Sequence, residues 1–222
     1  MKAMLLAAGL GTRLRPLTED RPKALTEIDG ESLIARHVRR LVTAGVSDIV
    51  INLSYRGEKI REHLGTGQRH GAKIVYSDEG EQPLETGGGV LAALPLLGGE
   101  PFLLVNSDVV TDFDFAILEP GRRLGTLVLV PNPPHHPAGD FGLDAQSLLT
   151  DTEPRLTFSG ISVLDPAVFA NCRPGRQPLK PILDAQIANR ALAGLRYDSL
   201  WIDVGTEARL EQARTALRAA HA

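Results

Sequence analysis

Two glycines and three cations crowd into one short stretch, Gly9-Leu-Gly11-Thr12-Arg13-Leu-Arg15, with Pro22-Lys23 a few residues on. Glycines let backbone N–H groups come close to an anion and form a concavity around it. Arginine forks onto phosphate oxygens, and lysine adds a point charge. The stretch is not a dinucleotide fingerprint, because Leu14 stands where the third glycine belongs, and it lacks the Gly-Lys-Ser/Thr of a P-loop. Two glycines alone would read equally well as a solvated turn. With Arg13, Arg15 and Lys23 beside them they point to a polyphosphate.

Two carboxylates stand where a hard cation could be held. Asp108 closes Leu104-Val-Asn106-Ser-Asp108, and Asp203 lies in Trp201-Ile-Asp203-Val-Gly-Thr206. Mg²⁺ takes one or two carboxylates and fills its remaining positions with water and substrate phosphates. Taken singly, Asp108 would read as a surface turn and Asp203 as part of a helix cap. Glu85-Thr86-Gly87-Gly88-Gly89 opens a helix on three glycines, a place where a planar base can lie against the chain. Asp140 can accept from sugar hydroxyls, and Gly160 permits a second close backbone approach or is simply a strand glycine. His135 and His136 have no third ligand at metal spacing and read as loop residues. No Ser-His-Asp or Cys-His set accompanies them.

These residues need a scaffold that brings distant loops together. Apolar runs alternate with helical patterns: strands at 3–8, 49–52, 72–76 and 102–106, and helices at 33–44, 57–64 and 88–97. Several strands are continuous apolar runs, as buried parallel strands are. The expected fold is α/β, a doubly wound, mostly parallel Rossmann-like sheet, whose ligands sit beyond the carboxyl ends of its strands. The later part reads as strands at 126–130 and 156–164, a helix at 181–193, a strand at 195–204 and a closing helix at 206–220. A single domain over 1–222 is expected, with about 1–112 as the nucleotide half and about 113–222 as the sugar half. The 222 residues suffice for a full core. The lone Cys172 excludes an internal disulfide. A net charge of −3 lacks the footprint of general nucleic-acid binding, and no stretch is long enough to cross a membrane. A cytoplasmic protein is expected, free of nucleic acid and membrane partners.

Ala7-Ala-Gly-Leu-Gly-Thr-Arg-Leu-Arg-Pro-Leu-Thr, followed by Pro22-Lys-Ala-Leu25, resembles the signature of the sugar-phosphate nucleotidyltransferases. The resemblance implies Mg²⁺-dependent joining of a nucleoside triphosphate to a sugar 1-phosphate with release of pyrophosphate. It implies that Gly11, Thr12, Arg13 and Lys23 hold phosphates, with Arg13 and Lys23 at the reacting centre. It places Gly80, Thr86 and Gly87 at the nucleotide and Asp108 and Asp203 on the metal, although Ser107 departs from the small residue usual in the metal motif. The segments 132–141, 157–164 and 201–206 are similar to the branch that uses UTP to activate N-acetylmuramate 1-phosphate in cell-wall recycling. From that branch Asn106, Asp140 and Gly160 are carried over as sugar-site residues. Glucose, N-acetylglucosamine or mannose 1-phosphate, or phosphocholine, are the competing substrates, and a non-catalytic nucleotide-sugar sensor is the competing class.

Overall fold

A computed structural model describes residues 1–220. Four parallel strands form its centre: β1 (Lys2–Leu6), β4 (Asp48–Leu53), β5 (Lys73–Asp78) and β6 (Phe102–Asn106). They lie in the order β6-β1-β4-β5, so the chain runs outward from β1 to β5 and then returns to the other side of β1. The order therefore reverses between β1 and β6. In open α/β sheets, the crevice at such a reversal is where ligands bind.

The alternation of side chains across these strands separates two cores. Ala3, Leu5, Ile49, Ile51, Leu103 and Val105 face one side, where α1 (Leu33–Thr43) and α2 (Gly57–Leu64) cover them. Met4, Val50, Phe102 and Leu104 face the other, beneath α3 (Glu85–Leu97) and α4 (Leu179–Ala188). Apolar residues on both faces explain why these strands read as continuous runs rather than alternations. Helix α1 starts where Ser32 Oγ accepts the Ala35 amide at 3.3 Å. It buries Ile34, Val38 and Leu41, spaced for a single face.

The later residues extend the same sheet. The long strand β11 (Arg155–Leu164) runs antiparallel to β6 and also pairs with β8 (Gly125–Val130) and β9 (Phe141–Leu143). With β10 (Leu149–Thr150) and β12 (Leu192–Arg196), parallel to β8, the sheet reaches nine strands. Two small ribbons lie apart, β2–β3 (Glu27–Ile28 and Glu31–Ser32) and β7–β13 (Val109–Thr111 and Trp201–Asp203). Closing helix α5 (Glu207–Ala220) packs Leu210, Ala213 and Leu217 on a third apolar cluster with Val110, Ile202 and Leu14.

Two expected elements are divided differently. The helix expected over 181–193 is α4, which starts two residues earlier and ends at Ala188; Arg190 then turns left-handed, with φ 53°. The residues beyond it join β12, where burial of Leu192 beside β8 outweighs any helical preference. The strand expected over 195–204 is two strands in different sheets. Asp112 holds the bend between them, accepting from the Tyr197 hydroxyl and, at 2.9 Å, from Ser199 Oγ.

Inside the first core lies His37, 2 % exposed, whose Nε2–H donates to the Val109 carbonyl at 2.8 Å while Nδ1 has no partner among the described residues. Burial depresses its pKa to about 4. Between pH 4 and 6.5 the unfolded chain binds a proton there that the folded chain refuses, so stability rises with pH across that window. The contribution is complete above 6.5. On acidification toward pH 4, a loss on the order of 3 kcal/mol is expected. Denaturant unfolding from pH 7.5 to 4.5 reads it. His37→Gln should flatten the slope, and an unchanged slope would exclude His37 as its source.

Candidate active site

The crevice at the strand reversal is built by the ends of β1 and β6. It is lined by Ala7 to Gly9 and Lys23 on one side, by Asn106 to Asp108 on the other, and by Pro83, Glu85 and Thr86 across the mouth. Ser107 ties the two strand ends together, its amide and hydroxyl both donating to the Leu6 carbonyl, at 3.2 and 2.6 Å. The Ser107 hydroxyl thus serves as a tie between the two strand ends.

Gly11 stands at φ 62°, a backbone that side-chained residues rarely adopt. A Cβ there would lie 3.1 Å from that of Lys23 and 3.2 Å from that of Thr18. The tight turn is held by Thr18 Oγ1 donating to the Gly11 carbonyl at 2.7 Å. Thr12–Leu14 follows as one 3₁₀ turn, leaving Thr12, Arg13 and Arg15 exposed. Leu14, on the opposite face, is buried and anchors the loop. Lys23 begins a second 3₁₀ turn whose Ala24 and Leu25 are buried. Its side chain is 13 % exposed, and the ammonium donates to Asp108 Oδ2. Thus the lysine and the first carboxylate meet directly, although 85 residues separate them.

Asn52 and Glu79, also lining the crevice, were not singled out in the sequence. Asn52 Oδ1 accepts the Ala7 amide at 2.7 Å and its Nδ2 donates to Glu79 Oε1 at 2.6 Å. Glu79 Oε2 in turn accepts the Leu84 amide at 2.7 Å. The ends of β1, β4 and β5 are locked together through this chain of bonds. Both residues stand at strand ends, and the rule that ligands gather there could have found them.

The three glycines of α3 serve packing. Gly87 lies under Ile182 and the Pro178 carbonyl, Gly88 under Gly175, and Gly89 against Glu79 and Asn52, each too close for a Cβ. The Gly88 amide donates to the Gln177 carbonyl, and the Gln177 amide to the Leu84 carbonyl, both at 3.0 Å. Thr86 lines the crevice, whereas Gly80 and Gly87 do not. Gly80 instead accepts Ser54 Oγ on its carbonyl at 2.9 Å.

The sugar-site residues divide. Asn106 lines the crevice and lies on Gly160, which has φ 78° and no space for a side chain beneath Asn106. Asp140 lines neither this crevice nor the cavity beside Asp203. Its Oδ2 accepts the Phe158 amide at 2.8 Å and its Oδ1 faces His136 Nε2 at 3.1 Å, which pins the loop before β9 onto β11.

Asp203 opens onto a second cavity, of about 380 Å³, with Trp201, His135 and Arg209. The backbone joins it to the first site: β13 pairs with β7, and the Val204 amide donates to the Asp108 carbonyl at 2.8 Å. Asp203 Oδ2 accepts from Arg209 Nη1. The same Nη1 lies 2.6 Å from His135 Nε2. A guanidinium only donates, so that imidazole nitrogen is an acceptor. Asp203 Oδ1, 3.1 Å from the same nitrogen, therefore receives no proton from it and is buried without a hydrogen bond among the described residues. A buried acceptor without a donor is costly, and a cation would satisfy it. Among the described residues no group of three or more His, Cys, Asp or Glu could hold a metal. The arrangement suits a cation that takes most of its ligands from substrate and water.

Residues 2–146 match the family model described as nucleotidyl transferase. The chain is 44 % identical to a Neisseria meningitidis protein named N-acetylmuramate alpha-1-phosphate uridylyltransferase, over 96 % of this chain and 97 % of that one. It is 36 % identical to a Caulobacter vibrioides protein of the same name, covering 95 % and 97 %. In fold it is similar to HddC from Yersinia pseudotuberculosis complexed with GMP-PN, with a TM-score of 0.78 at 20 % identity, over 97 % of this chain and 99 % of that one.

Proposed function

This chain belongs to the nucleotidyl transferase family, and on that premise we propose that it joins UTP to N-acetylmuramate 1-phosphate, releasing pyrophosphate. A phosphate oxygen of the sugar 1-phosphate attacks the α-phosphorus of UTP. The new P–O bond forms as the bond from the α-phosphorus to its β-bridging oxygen breaks, and that oxygen leaves with pyrophosphate. The attacking oxygen is already ionised near pH 7, so no general base is required. The obstacle is the repulsion between two polyanions that must meet in line.

The observation that carries this reading is the meeting of Lys23 with Asp108 at the strand reversal. The ammonium supplies positive charge where the triphosphate would lie, and exposed Arg13 adds a second cation on the adjoining loop. Gly11 and Thr12 offer backbone donors beside it. Thr86 lines the side of the crevice assigned to the base, and Asn106 the side assigned to the sugar. Gly80, Gly87, Asp140 and Gly160 support these surfaces by shaping the loops behind them. Enzymes of this family generally use Mg²⁺, and Asp108 with the donor-free Asp203 Oδ1 are the groups that would hold it. The ion would neutralise phosphate charge and orient the reactants. No helix among the described residues is long and apolar enough to cross a membrane.

The choice of UTP and of the muramate sugar rests on the two similar proteins of that name, which match along nearly their full lengths. A panel of nucleoside triphosphates against sugar 1-phosphates, with Mg²⁺ or with EDTA, tests it by pyrophosphate release. UTP with N-acetylmuramate 1-phosphate should give the highest kcat/KM, and EDTA should abolish turnover. A higher kcat/KM for glucose or N-acetylglucosamine 1-phosphate would overturn the sugar assignment and leave the enzyme class intact.

A further inference from the structure

The cavity beyond Asp203 has a chemistry that phosphate binding does not use. Pro133, Pro134 and Trp201 form an apolar wall, while Arg209 and Gln212 supply polar groups. Trp201 is fixed in place by its Nε1–H, which donates to the Ser159 carbonyl at 2.9 Å. The Arg209 side chain is only 13 % exposed and lies across Gly205, where a Cβ would collide with the guanidinium. Such a guanidinium is preorganised, and burial makes its charge more effective than on an open surface. Nη1 is committed to Asp203 and His135. The Nε–Nη2 edge has only a long contact, 3.4 Å from Nε to Thr206 Oγ1, among the described residues.

A planar fork beside an apolar wall suits a carboxylate on a short carbon stem. The carboxylate matches the two parallel N–H groups, and the stem takes the wall. A phosphate would call for more positive charge than one arginine already shared with Asp203. A hydroxyl would not repay the desolvation of a guanidinium. The cavity also starts at Asp203, whose ribbon partner strand adjoins Asp108. A group bound in it would extend from a sugar whose phosphate lies at Asp108.

We propose that Arg209, with Gln212 and the Trp201 wall, binds the carboxylate of the lactyl ether on the sugar substrate and so selects a carboxylated sugar phosphate over its plain counterpart. The inference rests on the muramate reading above and deepens it. His135 acts as a positioning residue, turning the guanidinium by accepting from Nη1.

The test is the ratio of kcat/KM for N-acetylmuramate 1-phosphate to that for N-acetylglucosamine 1-phosphate, each with UTP. In Arg209→Gln this ratio should fall about 10- to 100-fold, the range for loss of a hydrogen bond to a charged group. The fall should lie mainly in KM. If both substrates lose equally, Arg209 acts only through Asp203 and the proposal is overturned. A wild-type ratio at or below one overturns the muramate reading itself, and this proposal with it. Gln212→Glu, at an exposed position of α5, guards against a misfolded arginine variant. It sets a like charge before the carboxylate and should lower the ratio about 10-fold; an unchanged ratio there also counts against the proposal.

Discussion

Asp108→Asn is expected to lower turnover about 10²- to 10³-fold with little change in stability. The substitution keeps the shape of the side chain and its acceptor oxygen but removes the charge. In the structure that charge faces the Lys23 ammonium at the carboxyl end of β6. With substrates present it would help to hold a divalent cation, which would neutralise phosphate charge. A neutral amide weakens cation binding and also loosens the contact that holds the Lys23 ammonium, so Mn²⁺ affinity by calorimetry should drop together with the rate. Asp108 is one-third exposed, and loss of such a pair has a stability effect of about 1 kcal/mol or less. Near-normal turnover in a folded Asp108→Asn protein would remove Asp108 from the metal site.

Lys23→Ala should produce a loss of similar size by a different route. The ammonium is nearly enclosed, and the buried Ala24 and Leu25 fix the backbone that carries it. Its position is therefore set before substrate arrives, the condition under which a charge contributes most to a developing transition state. Truncation should reduce kcat strongly while cation affinity stays at or above wild type, because Asp108 loses its competing ammonium, in contrast to Asp108→Asn. Lys23→Arg should recover only part of the rate, because a planar fork does not occupy the place of a compact ammonium. The two sites touch, so their effects should not add. Asp108→Asn with Lys23→Ala should be less damaging than the product of the single losses. Strict additivity would argue that the contact in the structure is absent during turnover.

Much of the scaffold is legible because periodicity and burial are local signals. The runs at 3–8, 49–52 and 102–106 are apolar on consecutive residues up to the closing Asn52 and Asn106 of the last two, and such segments become central parallel strands because both faces are covered. The helices at 33–43 and 57–64 likewise follow from spacing of apolar residues. The helix expected over 181–193 and the strand expected over 195–204 divide differently for the same reason in reverse. Their apolar residues suit a helix or a strand equally, and only pairing with β8 and β7 decides.

The site divides along the same line. The types and order of Gly11, Arg13 and Lys23 are properties of the chain and point to phosphate chemistry before any fold is known, whereas the metal role expected of Asp108 and Asp203 comes from the family resemblance. Their meeting is a property of the sheet: the reversal between β1 and β6 brings Lys23 to Asp108, and the β7–β13 ribbon brings Asp203 beside them. The three glycines of α3 carry the same lesson, since glycine suits an open ligand surface and a tight internal contact equally, and here the segment 175–178 fills the space. Arg209 carried no signal in one dimension, His135 read only as a loop residue, and Asn52 and Glu79 were marked by nothing beyond their places at strand ends. What gives each its place is a hydrogen bond to a residue far away or on another element, and such bonds exist only once burial has excluded water from around them.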